Sequence, residues 1–572
     1  MQQICANGWC KTSFKITDDD LAFLDKVSPI IGGKKFSIPP PKICPDCRQQ
    51  RRLSWRNERR LYHRTCAFTQ ENIIASYSPS KPHVIYSADA WHSDKWDALD
   101  YGQGMDFTRP FFEQLRRLQE RVPRLALHAL HNENSPYVNL SGYNKNCYLI
   151  FAAEYDEDCL YGAQVIRSRN CVDTLNCYES EGCYEVVDCE KSYRLLFSRD
   201  CSGCSDSAFL FDCKGCSDCL LSSNLRNKKF CVFNKELPKK EYEKRKKEFI
   251  ERLQAGEVEV LRKEFEEFAQ KQPHRDRFII NSENADGNYL QNSRNLRHCF
   301  DLSYAEDCAY VYTGFKVKDL MDVCHTTEAE LGYEGMSLGY GAYGAVFTHG
   351  SWSSRNTLYC DIVQSCSDCF GCVCLQHKKY CILNKQYSKE EYEELVPRII
   401  AHMQKTPLRP PEADSAEYEW GAFFPITISP FAYNETLAQE CYPLSKKEAQ
   451  KRGWDWCEEE DVPQVEKTIP AAQLPPSIKD IPNDILRWAI TCESTCRPFK
   501  IIKQELDFYR TMGLPVPRLH PDERHRRRMA QRNPRKLWSR KCGKCGKGIE
   551  TTYRPARPEI VYCEECYLKA VY

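Results

Sequence analysis

The sequence has no uninterrupted apolar run of about 18 residues, so no membrane-spanning helix is expected. It has no surplus of either charge: 81 Lys and Arg stand against 80 Asp and Glu. The chain as a whole is therefore not a polycation, and any basic surface has to be local. Its first residues, MQQICANGWCKTSFKITDDD, hold neither the basic start nor the apolar core of a secretory leader. A Walker loop, a Rossmann glycine pattern, a nucleophile elbow and an HExxH helix are all missing, which leaves little to argue for catalysis.

Cysteine is what the sequence has in excess, with 34 among 572 residues. With no leader, the expected setting is a reducing cytoplasm, where cysteines serve as metal ligands, catalytic thiols or small buried apolar groups. The length exceeds what one hydrophobic core can organise.

Two internal duplications order the chain. At a shift of 476 positions, CPDCRQQRRLSWRNERRLYHRTC (from Cys44) falls on HPDERHRRRMAQRNPRKLWSRKC (from His520) without a gap. The register continues from IIASYSPSKPHVIYS into IETTYRPARPEIVYC. At a shift of 150, CSDCLLSSNLRNKKFCVFNKELPKKEY (from Cys216) lies over CSDCFGCVCLQHKKYCILNKQYSKEEY (from Cys366). The ends of the chain are copies of one unit, and so are two Cys-rich stretches between them.

In the first stretch the cysteines keep a six-residue beat. Cys147, Cys159, Cys171, Cys177, Cys183, Cys189, Cys201, Cys213, Cys219 and Cys231 are spaced by six or twelve. The skipped beats hold Ala153, Val165, Leu195, Ser207 and Leu225. One inward residue per hexad is the pattern of a β-solenoid, with the thiols as a packing column. CSGC (201–204), CKGCSDC (213–219) and CSDCFGCVC (366–374) read as zinc or iron–sulfur motifs in isolation, but the column explains most of them.

The fold class expected is mixed and mainly β: a tandem hexad-repeat β-solenoid with helical joints, bracketed by two homologous zinc modules of treble-clef or zinc-ribbon type. The boundaries expected are an N-terminal module with a Trp/Asp-rich extension (1–106), a helical joint (107–133), a first solenoid (134–236) and a charged helix (237–274). A second solenoid (275–386), a helix with Pro-rich linkers (387–484) and a C-terminal module (485–572) follow. Helices are predicted at 111–122, over the whole of 237–270, and at 388–403 with Ser388 as N-cap. Pro-rich linkers are read at 406–414 and 474–484.

Metal chemistry is strongest at the C-terminus, where Cys542, Cys545, Cys563 and Cys566 form two CxxC knuckles. Four thiolates at this spacing suit one structural Zn²⁺, with no coordination position left open for water. At the N-terminus, Cys5 and Cys10 with Cys44 and Cys47 make a second candidate site. The duplication sets Cys66 and Thr69 against Cys542 and Cys545, so the early copy has lost its ribbon site. It also sets His520 and Glu523 against Cys44 and Cys47, leaving Cys492, Cys496 and His520 as a weakened third candidate. Two zinc ions are expected, with a third open.

Arginine clusters flank these sites. Arg48, Arg51, Arg52, Arg56, Arg59 and Arg60 in the early copy face Arg524, Arg526, Arg527, Arg528, Arg532 and Arg535 in the late one. Interleaved with Trp55, Tyr62 and Trp538, such guanidinium groups suit contacts to the backbone of RNA or DNA. A solvated helix paired with the chain's own carboxylates is the bland alternative, and a scaffold binding protein through the solenoid faces is the competing function. A third reading makes His92, Asp94, Asp97, Asp100 and Asp106 a metal-dependent catalytic cluster; the same segment also reads as an aromatic-rich packed linker. Catalysis is the weakest of these readings.

The motifs CPDCRQQRRLSWRNERRLY, SDKWDALDYG with DFTRPFFEQL, SPFAYNETLAQ, and HPDERHRRRMAQRNPRKL with RPEIVYCEECY resemble an uncharacterised zinc-binding family of candidate-phyla bacteria. The resemblance covers nearly the whole chain. That family is at times labelled CoA-transferase-like, a chemistry none of these motifs supports. The resemblance implies zinc-finger ends and a bacterial cytoplasm, and it implies no activity.

Overall fold

Strands pair in parallel with a recurring offset of twelve residues. In the computed structural model, which describes residues 1–409, 417–458, 465 and 467–572, Val138 pairs with Ile150, Leu175 with Val187, and Cys177 with Cys189. Further on, Ser217 pairs with Lys229 and Cys219 with Cys231. The second Cys-rich stretch repeats the pattern: Phe300 pairs with Tyr312 and Cys369 with Cys381. Each stretch ends in an antiparallel return, Lys235–Glu236 and Lys385–Gln386.

A second period lies inside the first. Every third residue in these stretches has a left-handed backbone, as at Asn170, Asp173, Asn176 and Glu179. Asn, Asp and Gly tolerate that conformation best, and they fill many of these positions. The column Asn134, Asn146, Asp158, Asn170 and Gly182 is one example.

The cysteines of the first stretch lie in one buried cluster with Val138, Ile150, Ala153, Val165 and Leu195. Their thiols are also hydrogen-bond donors. Cys147 donates to the carbonyl of Lys145 at 3.3 Å, and Cys201 to that of Arg199 at 3.2 Å. Ser180 and Ser192 do the same at Tyr178 and Glu190, both at 2.9 Å. The serine hydroxyl also accepts the N–H twelve residues on, as Ser180 does from Ser192. A small side chain with one donor therefore suits the inward position, because it meets a buried carbonyl that would otherwise keep an unmatched lone pair.

The chain divides into two compact units. One contains Met1–Leu127 and Phe278–Glu459; the other contains His128–Arg277 and Glu460–Tyr572. The first unit joins the N-terminal module to the second parallel stack, and the second unit joins the first stack to the C-terminal module.

Three helices differ from expectation or confirm it. The predicted helix 237–270 is two, Lys239–Gln254 and Val258–Gln270, parted at Gly256, where φ is +81°. The helix Lys389–Lys405 opens with a capping box, Ser388 accepting the N–H of Glu391 and Glu391 accepting that of Ser388. The basic segment from Cys47 is helical only over Pro45–Leu53, so Arg56, Arg59 and Arg60 lie beyond the helix. The linker read at 406–414 falls mostly outside the described residues, and 474–484 carries two 3₁₀ turns, Ile478–Asp480 and the start of Asn483–Arg487.

Candidate metal centres

Both four-cysteine groups assemble. In the N-terminal module a hairpin, Gln2–Ile4 with Ser13–Lys15, brackets Cys5 and Cys10. Cys44 is the N-cap of the helix Pro45–Leu53, and Cys47 lies in its first turn. In the C-terminal module Cys542 and Cys545 sit in the loop after the strand Trp538–Lys541, and Cys563 caps the helix Glu564–Val571. The four sulfurs of each group lie within 4.8 Å of one another. Cys10 and Cys44 are 3.6 Å apart, and Cys545 and Cys563 are 3.8 Å apart. A tetrahedron with Zn–S bonds of about 2.3 Å has edges of roughly 3.8 Å, so both groups could hold a zinc ion.

Backbone amides support the same reading. Cys5 Sγ accepts the N–H of Cys44 at 3.3 Å, and Cys542 Sγ accepts those of Lys544 at 3.5 Å and Cys563 at 3.3 Å. Burial acts to raise the Cys542 thiol, but these amides and that of Cys545 bring it down to about 6. Its neighbour Cys566 is pushed up to about 12 by burial and by the other thiols of the group. Four sulfurs this close cannot all ionise without a cation between them, and a bound dication removes that conflict.

Among the described residues no other group of three or more His, Cys, Asp or Glu ligand atoms comes together at this distance. Cys492, Cys496 and His520 do not form one. His520 instead caps the helix Pro521–Gln531, its Nδ1 accepting the N–H of Asp522 at 3.1 Å. His92, Asp94, Asp97, Asp100 and Asp106 are not gathered either. Asp97 pairs with Lys378 at 2.7 Å and caps Leu99, and Asp106 accepts from Thr108. Trp91, Trp96, Tyr86 and Tyr101 pack on one another between them, which is the aromatic-linker alternative.

The early copy's second site is a remnant. Cys66, Thr69, Ser87 and Ala90 occupy the places of Cys542, Cys545, Cys563 and Cys566. Cys66 Sγ still accepts two backbone amides, Thr69 at 3.4 Å and Ser87 at 3.2 Å. Against burial, these bonds and the side chain of Thr69 lower its thiol to about 7.

The arginines largely meet the chain's own carboxylates, as the alternative reading expected, but half of them do so in the interior rather than on a solvated helix. Arg48, Arg51, Arg52, Arg56, Arg524 and Arg528 are buried. Arg48 donates to Asp322 at 2.8 Å, Arg51 to Glu334 at 2.7 Å, and Arg52 lies 3.2 Å from Asp322 and 3.1 Å from Glu334. Arg56 meets Glu58 and the hydroxyl of Ser337, both at 2.6 Å. In the other unit Arg528 donates to Asp173 at 2.7 Å, beside an Arg524 that binds the same carboxylate and lies 3.3 Å from Glu505. Arg532 pairs with Asp188 at 2.8 Å. A shift of 476 carries Arg48 to Arg524 and Arg52 to Arg528, so both copies clamp one aspartate of a parallel stack. Asp322, Glu334, Asp173 and Asp188 all have left-handed backbones. These acceptors escaped the sequence reading, although the twelve-residue spacing of Asp322 and Glu334 was visible.

The remaining arginines are less enclosed. Arg526 is 70% exposed and pairs with Glu523 at 2.5 Å; Arg527 is 46% exposed and lies 3.5 Å from Glu259. Arg59, Arg60 and Arg535 are partly buried.

No helix among the described residues is long and apolar enough to cross a membrane. Compared with known protein families and with curated proteins, the sequence matches none.

Proposed function

We propose that the chain is a zinc-stabilised, non-catalytic binding scaffold: two β-solenoid stacks, each held by one end module, that present their outer faces to a protein partner. The observation that carries this reading is the fate of the arginines. Six of the twelve are buried, and Arg48, Arg51, Arg52, Arg524 and Arg528 are buried on carboxylates of the stacks. A guanidinium so placed cannot also reach a nucleic-acid phosphate. The helices therefore serve the fold, and the Cys₄ sites set the modules that carry them. The family resemblance and a reducing cytoplasmic setting fit a protein of this kind.

Nucleic-acid binding through the same helices would rest on Arg526 and Arg527, the two most exposed of the twelve. Fluorescence anisotropy with labelled 20-nucleotide RNA and DNA at two salt concentrations separates the readings. The scaffold reading expects no saturable binding, and no nucleic acid carried through purification. Binding that falls steeply with salt and is abolished by Arg526→Glu with Arg527→Glu overturns it and assigns the helices to phosphate. These two are the variants to use because Arg528→Glu would bury an anion against Asp173 and unfold the unit.

A further inference from the structure

The duplication lets one copy report on the other. In the N-terminal module the hairpin Tyr62–Thr65 with Asn72–Ala75 pairs Tyr62 with Ala75 and Arg64 with Ile73. In the C-terminal module Trp538 pairs with Thr551 and Arg540 with Ile549, the same register 476 residues on. Arg64 donates to the carbonyls of Ser78 at 2.8 Å and His83 at 3.1 Å. Arg540 donates to those of Arg554 at 3.4 Å and Glu559 at 3.1 Å, again the equivalent positions. The two hairpins are equivalent in geometry, residue by residue.

In the first unit a later segment of the chain covers this hairpin. Tyr62 Oη donates to Glu435 at 2.6 Å and lies 3.4 Å from Cys457 Sγ. Lys81 pairs with Asp455, Cys457 Sγ donates to Ser78 at 3.7 Å, and Tyr77 stacks on Phe431 at 5.2 Å. The positive charges of Lys81 and Arg60 act on the Glu435 carboxylate. The occupant is thus a segment, 431–457, that brings two carboxylates and an aromatic ring.

In the second unit the equivalent positions hold Lys536 for Arg60, Trp538 for Tyr62, Arg554 for Ser78 and Arg557 for Lys81. Lys536 and Arg554 are exposed and lie 5.9 and 5.5 Å from the centre of the Trp538 ring. Among the described residues neither is in an ion pair. Other acids of the module have partners of their own: Glu559 with Arg557, Glu550 with Ser539, Glu564 with Arg275 and Glu565 with Lys569. Ser78 is matched by Arg554 and His83 by Glu559, and Glu559 pairs with Arg557, so the cations left without an ion pair are Lys536 and Arg554. No described segment meets Lys536 or Arg554 with a carboxylate; Arg557, the counterpart of Lys81, has Glu559 where Lys81 has Asp455.

We propose that Lys536, Trp538 and Arg554 form a docking surface for an acidic peptide segment of a partner protein. That segment is the counterpart, supplied by another chain, of residues 431–457. The internal copy meets carboxylates there, and Lys536 and Arg554 supply the complementary charge. The proposal goes beyond the scaffold reading by fixing where a partner binds and what it brings. It does not use the stack faces.

The test titrates the zinc-loaded full chain into a labelled synthetic peptide of residues 429–458, with both cysteines changed to serine, and reads anisotropy. Saturable binding is expected. Lys536→Glu with Arg554→Glu should weaken it at least ten-fold at unchanged zinc content, and so should Glu435→Lys in the peptide. No saturable binding, or equal binding by the double variant, overturns the proposal. A single-stranded RNA 12-mer that binds wild type and not the variant, where the peptide fails to bind, also overturns it, because the surface would then take phosphate. Peptide failure without RNA binding leaves the scaffold reading intact.

Discussion

The inward columns reward side chains that combine small size with one hydrogen bond, and one position breaks this rule. Asn144 donates its Nδ2 to the carbonyl of Ala153 and accepts the N–H of Asp156. Twelve residues on, Asp156 accepts the N–H of Ser168 at 2.8 Å through Oδ1, and its Oδ2 is buried without a partner. Burial raises this carboxyl to about 8, above its ordinary value of about 3.9. The folded state therefore holds it protonated while the unfolded chain ionises. Its contribution to stability is complete below pH 4 and is lost as pH rises through 8. At pH 7 the loss is on the order of 4 kcal/mol. Asp156→Asn should restore the bond that Asn144 makes, with the carbonyl of Val165 as acceptor. The transition of that unit in urea should shift to higher denaturant at pH 8 and change little at pH 4. A gain independent of pH would refute the argument. The cysteine columns were legible because one residue type repeated them, and the two Cys₄ groups because ligand spacing is local. The left-handed column Asn134, Asn146, Asp158, Asn170 and Gly182 was equally present in the sequence. It was masked by the stronger cysteine beat.

At the scale of elements, the second stack explains why its own beat is fainter. Ile279 pairs with Leu290 at an offset of eleven, Cys299 with Gly287 at twelve, and Met336 with His349 at thirteen. One residue is missing near Gly287 and one is added near the glycine-rich run GYEGMSLGYGAYGAV, so six-residue counting fails across both. Gly287 sits at the irregularity with φ +145°, and a Cβ there would lie 1.7 Å from the carbonyl oxygen of Cys299. Gly287→Ala should destabilise its unit by at least about 3 kcal/mol, since neither backbone can give way without breaking a ladder. Thermal unfolding checks this; a change within about 0.5 kcal/mol would mean that the parallel pairing does not close there. The predicted helix 237–270 failed at Gly256 for a related reason: a single left-handed glycine ends one helix and frees the next.

At the scale of the molecule, each unit is assembled from pieces far apart in the chain, which is why the sequence could not name the carboxylates that the arginines meet. Arg48 and Asp322 are 274 residues apart, and Arg528 and Asp173 are 355 apart. The duplicated modules have kept opposite Cys₄ groups, so an ion held in one would act differently from an ion held in the other. In the N-terminal module Cys44 and Cys47 begin the helix that carries Arg48, Arg51 and Arg52. In the C-terminal module the clamp lies on Pro521–Gln531, while the Cys₄ group is built from 542–566. There Asp522 and Glu523 in the first turn and the His520 cap favour the helix end without metal. Structural zinc contributes directly to folding free energy, roughly 10 kcal/mol or more in small modules. Losing the N-terminal ion should therefore loosen the clamp on Asp322 and Glu334, and losing the C-terminal ion should spare the clamp on Asp173. Cys47→Ser and Cys566→Ser should each reduce zinc from two ions per chain to one by elemental analysis. Amide hydrogen exchange should then show protection lost over 318–338 in the first variant, and protection kept over 172–190 in the second. Equal loss in both would mean that each metal governs its whole module, and that the division of the two sites between the copies has no mechanical consequence.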